Sequence, residues 1–410
     1  MSPFSVYSFL KYIMRGCNLS SEIQHHFRFI LVLNFVFGHW FHVSPLKLRG
    51  VAYICAAIFI TLVNLAVIVR ATFNVHNLIH ALPHFAPSLL ISLGVIGAVQ
   101  SVFRTTVVLL KRKEIENIFL KLKVVVDGHI FPDIQTKTIK TALKYSYISV
   151  SIYIIGFITA MIFHSFSWQM QDDFIGRNEN TTTIKSIIKH NALISKSGYW
   201  EQLTYTILYY TVFLISVGKI AATDLLFFSW YSLLIAEMDL LVKGINQLLC
   251  QPKSNTMHCN LSTWLQFHQE IVRLMQRVST VASPCAVLTI AVNTLHMCFL
   301  AYIVTKRYVD TLSMTVFMAF ALLALLQSFF YCNIGQKIRN KVAELQQAAY
   351  AAPWLDSPRD TQHAMVMICS SATERAMPLP GAPFFALSLE FFASVLGAVF
   401  TYFIVLLQIN

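Results

Sequence analysis

LTYTILYYTVFLISVGKIAATDLLFFSWYSLLIAEMDLLVKGINQLLCQ, residues 203–251, is a run without proline in which Lys219 and Asp224 are the only ionisable side chains before Trp230. Some twenty apolar residues cross a hydrocarbon core of roughly 30 Å, so residues 203–229 read as a membrane-spanning helix. The pattern then changes rather than stopping. Leu234, Met238, Leu241, Val242, Ile245 and Leu249 follow at steps of three and four, which makes one apolar face on a helix in water. More than about 40 helical residues at 1.5 Å each exceed roughly 60 Å, about twice the hydrocarbon thickness. A helix that crosses the membrane and continues far beyond it is therefore expected.

Six more runs have the same length and polarity: 50–70, 84–109, 142–164, 284–304, 311–333 and 384–408. The expected fold is all-α, a polytopic membrane protein with seven transmembrane helices. Composition agrees, since the 410 residues are 56% hydrophobic and 12% charged, where a soluble domain carries about a quarter charged residues. The stretch 27–43, with His39 and His42, reads either as an interfacial or re-entrant helix or as an eighth span. Lys11 and Arg15 interrupt the first apolar residues too early for a signal peptide.

The amphipathic pattern recurs next to other spans. Ile115, Ile118, Phe119, Leu122 and Val126 follow the second, and Ile338, Val342 and Leu345 follow the sixth. Leu261, Trp264, Leu265, Ile271, Met275 and Val278 precede the fifth. No proline occurs from 88 to 131 or from 311 to 352, so these spans too are expected to run on as straight helices. Several apolar stripes in water must bury against something, either each other or a neighbouring subunit. For Met365, Ile368, Cys369 and Ala372, on a short helix expected over 361–376, contact between subunits is the expectation.

Basic residues orient the chain. With the N-terminus inside, the inside segments hold 21 Lys and Arg and the outside loops, counting Arg70, hold seven. An odd number of spans places the C-terminus outside, the opposite of a G-protein-coupled receptor. Asn180, which opens an Asn-Thr-Thr sequon in the second outside loop, is the expected glycosylation site; Asn18 and Asn260 lie inside.

The net charge of +12 does not imply nucleic acid, because no soluble segment is long enough for a binding domain. Cys250, His258 and Cys259 lack a fourth ligand at recognisable spacing, so no metal site is expected. Arg104, Lys219, Asp224 and Glu390 are the ionisable residues within spans and sit toward the inner ends, where pairing or snorkelling is tolerated. They form no carboxylate pair and no nucleophile–base set. Neither an enzyme nor a cofactor is expected.

The last 80 residues resemble the insect odorant receptor family. The features are Tyr331-Cys332-Asn333-Ile334-Gly335, then Ala349-Tyr350 and Trp354, then Ser357-Pro358-Arg359-Asp360. Phe384-Phe385-Ala386-Leu387-Ser388-Leu389-Glu390 and Phe400-Thr401-Tyr402-Phe403 with Gln408 close the series. Gly38-His39-Trp40 and Lys111-Arg112-Lys113-Glu114 add weaker matches upstream. The related gustatory receptors share the closing motif and remain the alternative.

The resemblance implies a ligand-gated, non-selective cation channel of four subunits in the plasma membrane of sensory neuron dendrites. It implies an odour-binding subunit assembled with the family's co-receptor, because the segment between the fourth and fifth spans is short. The division expected is a cytoplasmic N-terminal region (1–49), spans one to four with the ligand pocket (50–229), an anchor segment (230–283), spans five and six (284–333), a second anchor segment (334–383), and a pore-lining seventh span (384–410). By resemblance the pocket lies in the outer half of the membrane. Its candidates are Phe85, Leu89, Tyr153, Phe157, Met161, Tyr205, Tyr209, Phe213, Met314, Phe317 and Met318, each equally readable as helix packing. Such a lining suits a small, volatile, neutral ligand, with no charged side chain expected there. Helical turns counted back from Asn410 put Leu407, Phe403, Phe400 and Leu396 on one face, read as pore wall or as a lipid-facing stripe.

Overall fold

The computed structural model describes residues 21–39, 51–81, 85–127, 199–250, 261–305, 311–355, 359–371 and 387–409, with Thr141, Lys144, Ile148, Ser151 and Ile155 as isolated helical positions. Among the described residues all regular structure is helical: α1 (Ser21–Val36), α2 (Val51–Ala81), α3 (Phe85–Leu110), α4 (Arg112–Asp127), α5 (Tyr199–Cys250), α6 (Leu261–Thr305), α7 (Thr311–Ala351), α8 (Arg359–Ser371) and α9 (Leu389–Ile409). Five of them, α2, α5, α6, α7 and α9, are long and apolar enough to cross a membrane, and α3 with α4 makes a sixth if a bent pair counts as one span. These six correspond to the expected spans one, two, four, five, six and seven. Apart from four isolated positions, the expected third span, 142–164, lies outside the described residues, as does Asn180.

The expected overlong helices are present. At 1.5 Å per residue the 52 residues of α5 extend about 78 Å. Helix α6 continues through Pro284. Proline cannot donate to the preceding turn, but the flanking Val281, Ala282, Cys285 and Ala286 are wholly buried, and packing offsets that loss.

The second span departs from expectation. It does not run on straight but bends by 67° between α3 and α4. No proline is needed, because hydrogen bonding continues on both sides of Lys111, whose amide donates to Val107 and whose carbonyl accepts from Ile115. The tract Lys111-Arg112-Lys113 favours leaving the hydrocarbon, and turning lays Ile115, Ile118 and Leu122 of α4 into the core beside α6. The first span also differs. Helix α2 passes through Arg70 to Ala81, so Arg70 is a buried helix residue rather than a loop charge.

The N-terminal stretch forms a helix that docks on α5. Phe27, Ile30 and Leu31 enter the core, and Phe27 meets Phe119 edge-on at 5.8 Å between centroids. Gly38 ends this segment with φ 79°. Its amide donates to Phe35, and that of His39 reaches back to Asn34, the paired bonds of a Schellman turn. A Cβ at Gly38 would also press on Val63 at 2.8 Å. Glycine is thus required twice over, by backbone and by space.

The continuous core lies in the amphipathic extensions. Met238, Leu241 and Ile245 of α5 meet Trp264, Ile271, Met275 and Val278 of α6, with Ile338 and Leu345 of α7. The Trp264 indole donates to the Leu241 carbonyl at 3.3 Å. Lys341–Asp239 at 2.8 Å and Lys121–Glu270 at 3.3 Å add surface pairs between helices, worth at most about 1 kcal/mol each. The stripes therefore form a bundle within one chain. This overturns the expectation for α8: Met365 and Ile368 are buried in the chain's own core, and α8 instead exposes Val366 and Met367. Ala372 lies outside the described residues.

That distinction is measurable by thermal melting in detergent. Ile368→Asp should cost several kcal/mol by burying an unpaired charge and deplete folded protein, whereas Met367→Asp, at a position 67% exposed, should leave the melting curve of the single chain unchanged.

Candidate functional site

Polar side chains are gathered into one buried layer among the apolar helices. At its centre the Arg104 guanidinium of α3 donates to the Asp224 carboxylate of α5, both wholly buried. Arg104 also donates to the Ile220 carbonyl at 3.0 Å, to Thr223 Oγ1 at 2.7 Å and to Thr289 Oγ1 of α6 at 2.5 Å. Gln100 donates to the same threonine at 3.2 Å. Asp224 in turn accepts from Gln327 Nε2 at 2.6 Å and from the Tyr331 hydroxyl, both on α7. Asn293 of α6 extends the set, its Nδ2 lying 3.0 Å from Gln327 Oε1 and from Ser328 Oγ. A single ion pair thus ties α3, α5, α6 and α7.

A second group adjoins the first through Thr105, one position on from Arg104. Lys219, one turn before Thr223 on α5, donates to Asn64 of α2 and to Thr105 Oγ1 at 3.3 Å. Thr105 lies 3.4 Å from His39 Nε2, and His39 Nδ1 lies 3.3 Å from Asn34 Oδ1. Asn34 Nδ2 donates across to the Ala222 carbonyl at 3.0 Å. The Schellman turn at Gly38 is what delivers His39 to this place. Farther along α2, Arg70 donates to Ser216 at 3.3 Å and stacks on the Phe213 ring, 4.5 Å from its centroid.

The chemistry of this layer is electrostatic rather than catalytic. Its threonines and serines return their protons to helix carbonyls, as Thr223 does to Lys219 and Thr289 to Cys285. Among the described residues no group of three His, Cys, Asp or Glu could hold a metal ion. Residues 251–260, with His258 and Cys259, lie outside them. In hydrocarbon an isolated charge is costly, and multiple donors to one carboxylate are the arrangement that keeps a buried pair ionised.

Of the sequence-derived pocket candidates, Tyr153, Phe157 and Met161 lie outside the described residues. Phe85 and Leu89 fall on α3, Tyr205 and Tyr209 on α5, and Phe317 on α7. Phe213 is half-buried beneath Arg70, while Met314 and Met318 are exposed. The expectation that no charge approaches this set is overturned by Arg70, which α2 carries into the bundle. Among the pore candidates Leu396 and Phe403 are half-buried, Phe400 and Leu407 are exposed, and Asn410 lies outside the described residues. The pairing of Arg104 with Asp224 agrees with the expectation that intramembrane charges pair. The neutral partners were missed, although Gln100 with Arg104, Ser216 with Lys219 and Thr223, and Gln327 with Tyr331 recur at helical steps of three and four.

Truncating one partner should therefore harm more than neutralising both. Arg104→Met leaves Asp224 buried without its cation, a loss of about 3–5 kcal/mol, and should sharply lower the melting temperature in detergent. Adding Asp224→Asn should recover at least half of that loss in a double-mutant cycle; additive losses would contradict the pairing.

Comparison with known proteins bears on this architecture. Residues 92–400 match the family model described as 7tm Odorant receptor. The odorant receptor coreceptor of Anopheles gambiae is 34% identical over 148 residues, 36% of this chain and 30% of that protein. The Drosophila melanogaster coreceptor is 32% identical over 172 residues, 42% and 35% of the two chains, and odorant receptor 85c of the same fly is 24% identical over 149 residues, 36% and 38%. The match thus spans about a third of the length of each curated relative. The solved insect olfactory receptor OR5 from Machilis hrabei superposes with TM-score 0.76 at 18% identity, covering 95% of this chain and 99% of that one. Its complex with eugenol gives 0.78 at 17% identity, covering 99% and 100%. These superpositions show a shared fold, and the family match decides between the odorant and gustatory readings. With three quarters of its length covered by the family model, this multi-pass membrane protein belongs to the insect odorant receptor family, whose members are receptor channels and not enzymes.

Proposed function

We propose that this chain is the odorant-binding subunit of a ligand-gated, non-selective cation channel, assembled with the family's co-receptor as a heterotetramer in the plasma membrane of sensory neuron dendrites. One observation carries the channel reading. The span Leu389–Gln408 is the most apolar of the candidate spans, with mean hydropathy 2.0, yet none of it is buried within the chain. It touches α6 and α7 along one edge, through half-buried residues such as Phe391, Phe392 and Leu396. Its exposed side carries Ser394, Gly397, Thr401 and Gln408 at helical spacing. Lipid suits the apolar arcs of this helix but not Gln408, and water in a pore suits both the amide and the hydroxyls.

This rotation changes which residues face the pore. The stripe Leu396, Phe400, Phe403 and Leu407 lies at the margin of the packing edge, whereas Val405 lies on the polar side, between Thr401 and Gln408. An apolar neck that closes by dewetting then falls at Val405. Oligomeric contacts in the anchor are assigned to exposed Tyr350, Leu355, Val366 and Met367 rather than to Met365 and Ile368. The N-terminus is placed inside, and Asn180 is the glycosylated outside residue.

The ligand is a small, largely apolar volatile bound among the aromatic and methionine side chains of α3, α5 and α7 with the expected third span. The complex of OR5 with eugenol is a precedent for such a ligand in this fold. A second reading, that of the shared subunit itself, is favoured by the higher identity to coreceptors than to odorant receptor 85c. The short segment between the fourth and fifth spans supports the odour-binding subunit.

Whole-cell recording against a panel of volatiles tests the proposal. Current evoked only when co-receptor is co-expressed is the expected result, and odour-independent rescue of other receptors by this chain would establish the second reading. In the working channel Val405→Ser should raise current without odour severalfold, and Leu407→Ser should raise it less. The reverse order would restore the original pore face.

A further inference from the structure

Helix α9 is buried at one end only; beyond it the helix rests on α6 and α7 along one half-buried edge. Among residues 387–408 Leu387 and Ser388 alone are buried, 1% and 4% exposed. Ser388 caps the helix: its Oγ accepts from the Phe391 amide at 3.1 Å and its carbonyl from the Phe392 amide at 3.0 Å. The Leu387 side chain enters the core, and its carbonyl oxygen lies against Gly335 of α7 so closely that a Cβ there would overlap it. The obstacle is backbone, which no rotamer change relieves.

Gly335 follows Tyr331 by one helical turn, and the Tyr331 hydroxyl donates to Asp224 on α5. A ladder of rings runs in parallel. Phe228 of α5 meets Tyr331 at 5.0 Å and Phe330 at 5.9 Å; Phe330 meets Phe329 at 6.2 Å; and Phe329 meets Phe392 of α9 edge-on at 5.7 Å. Both routes lead from the buried charge pair to the first turn of α9.

We infer that Gly335 is a positioning residue through which a shift of α7, keyed to α5 by Tyr331 and Asp224, is passed to the anchored end of α9. The inference rests on the reading of α9 as pore wall. Close-packed contacts transmit displacement because they cannot be compressed. With its first residues buried and the remainder only half-buried against α6 and α7 along one edge, α9 tilts about Leu387. An alanine at Gly335 pushes that pivot away from α7 without touching the ligand-bearing ends of the helices.

The test uses full-length chain with co-receptor, each variant made in a Thr401→Cys background. It reads odour-evoked and basal current together with the rate at which a charged methanethiosulfonate modifies Cys at position 401, corrected for chain lacking it. Gly335→Ala at normal surface level should change basal current at least threefold and the modification rate at least fivefold. Tyr331→Phe should shift the half-maximal odour concentration at least threefold and reduce the odour-dependent change in modification rate. Gly97→Ala, where an added Cβ meets open space, should change neither. Wild-type current and modification rate in Gly335→Ala would overturn the inference. If that variant does not reach the surface, an unaltered Tyr331→Phe overturns it instead. If the wild-type complex gives no odour-evoked current, the channel reading fails separately, and the modification rate in Gly335→Ala still decides the contact.

Discussion

A guanidinium and a carboxylate with no exposed surface, set among helices apolar enough for hydrocarbon, cannot be placed independently of one another. Arg104 and Asp224 must meet, and each retains further hydrogen-bonding capacity that neighbours must satisfy. Thr223 and Thr289 supply it for the cation, Gln327 and Tyr331 for the anion. Those partners come from α5, α6 and α7, so the rotation and depth of four helices follow from one charge pair. Dispersion between apolar faces tolerates small sliding; a carboxylate with three directed donors does not.

From that layer the structure divides in two. Toward the amphipathic ends the helices share one core, in which Trp230, Trp264, Ile271 and Ile338 are wholly buried. Toward the other ends α2, α5 and α7 expose Val75, Ile79, Ile207, Leu208, Met314 and Met318. Sparse burial there lowers the cost of local rearrangement, which suits the end assigned to the ligand. Dense burial at the other end suits an anchor. The charge layer and the Gly335–Leu387 contact lie between the two.

The candidate site was legible only in part. Arg104, Lys219 and Asp224 stand out in any apolar run, and their pairing follows from cost alone. Arg70 was hidden because an apolar run that ends at a basic residue reads as a span meeting water; α2 in fact continues for eleven residues beyond it. Its stacking on Phe213 depends on the crossing of α2 and α5, which periodicity does not encode. The last helix shows the same limit: counting back from the terminal residue chose a face, but with apolar residues on nearly every side the sequence offered no reference direction. Contact with α6 and α7 supplied one.

The run of α5 as one long helix, the amphipathic stripes and the presence of compensated charges were determined by the sequence, because each is a property of residues at fixed steps along one helix. The family motifs at Tyr331-Cys332-Asn333-Ile334-Gly335 and toward Gln408 were equally local. Tertiary structure decided whether the stripes met each other or a partner, why the chain bends by 67° after Leu110, and which side of α9 is free. It also decided that Gly335 lies against Leu387 rather than merely closing a span. Each of these depends on which helix stands beside which, and that is set by directed contacts between residues as far apart as Arg104 and Asp224.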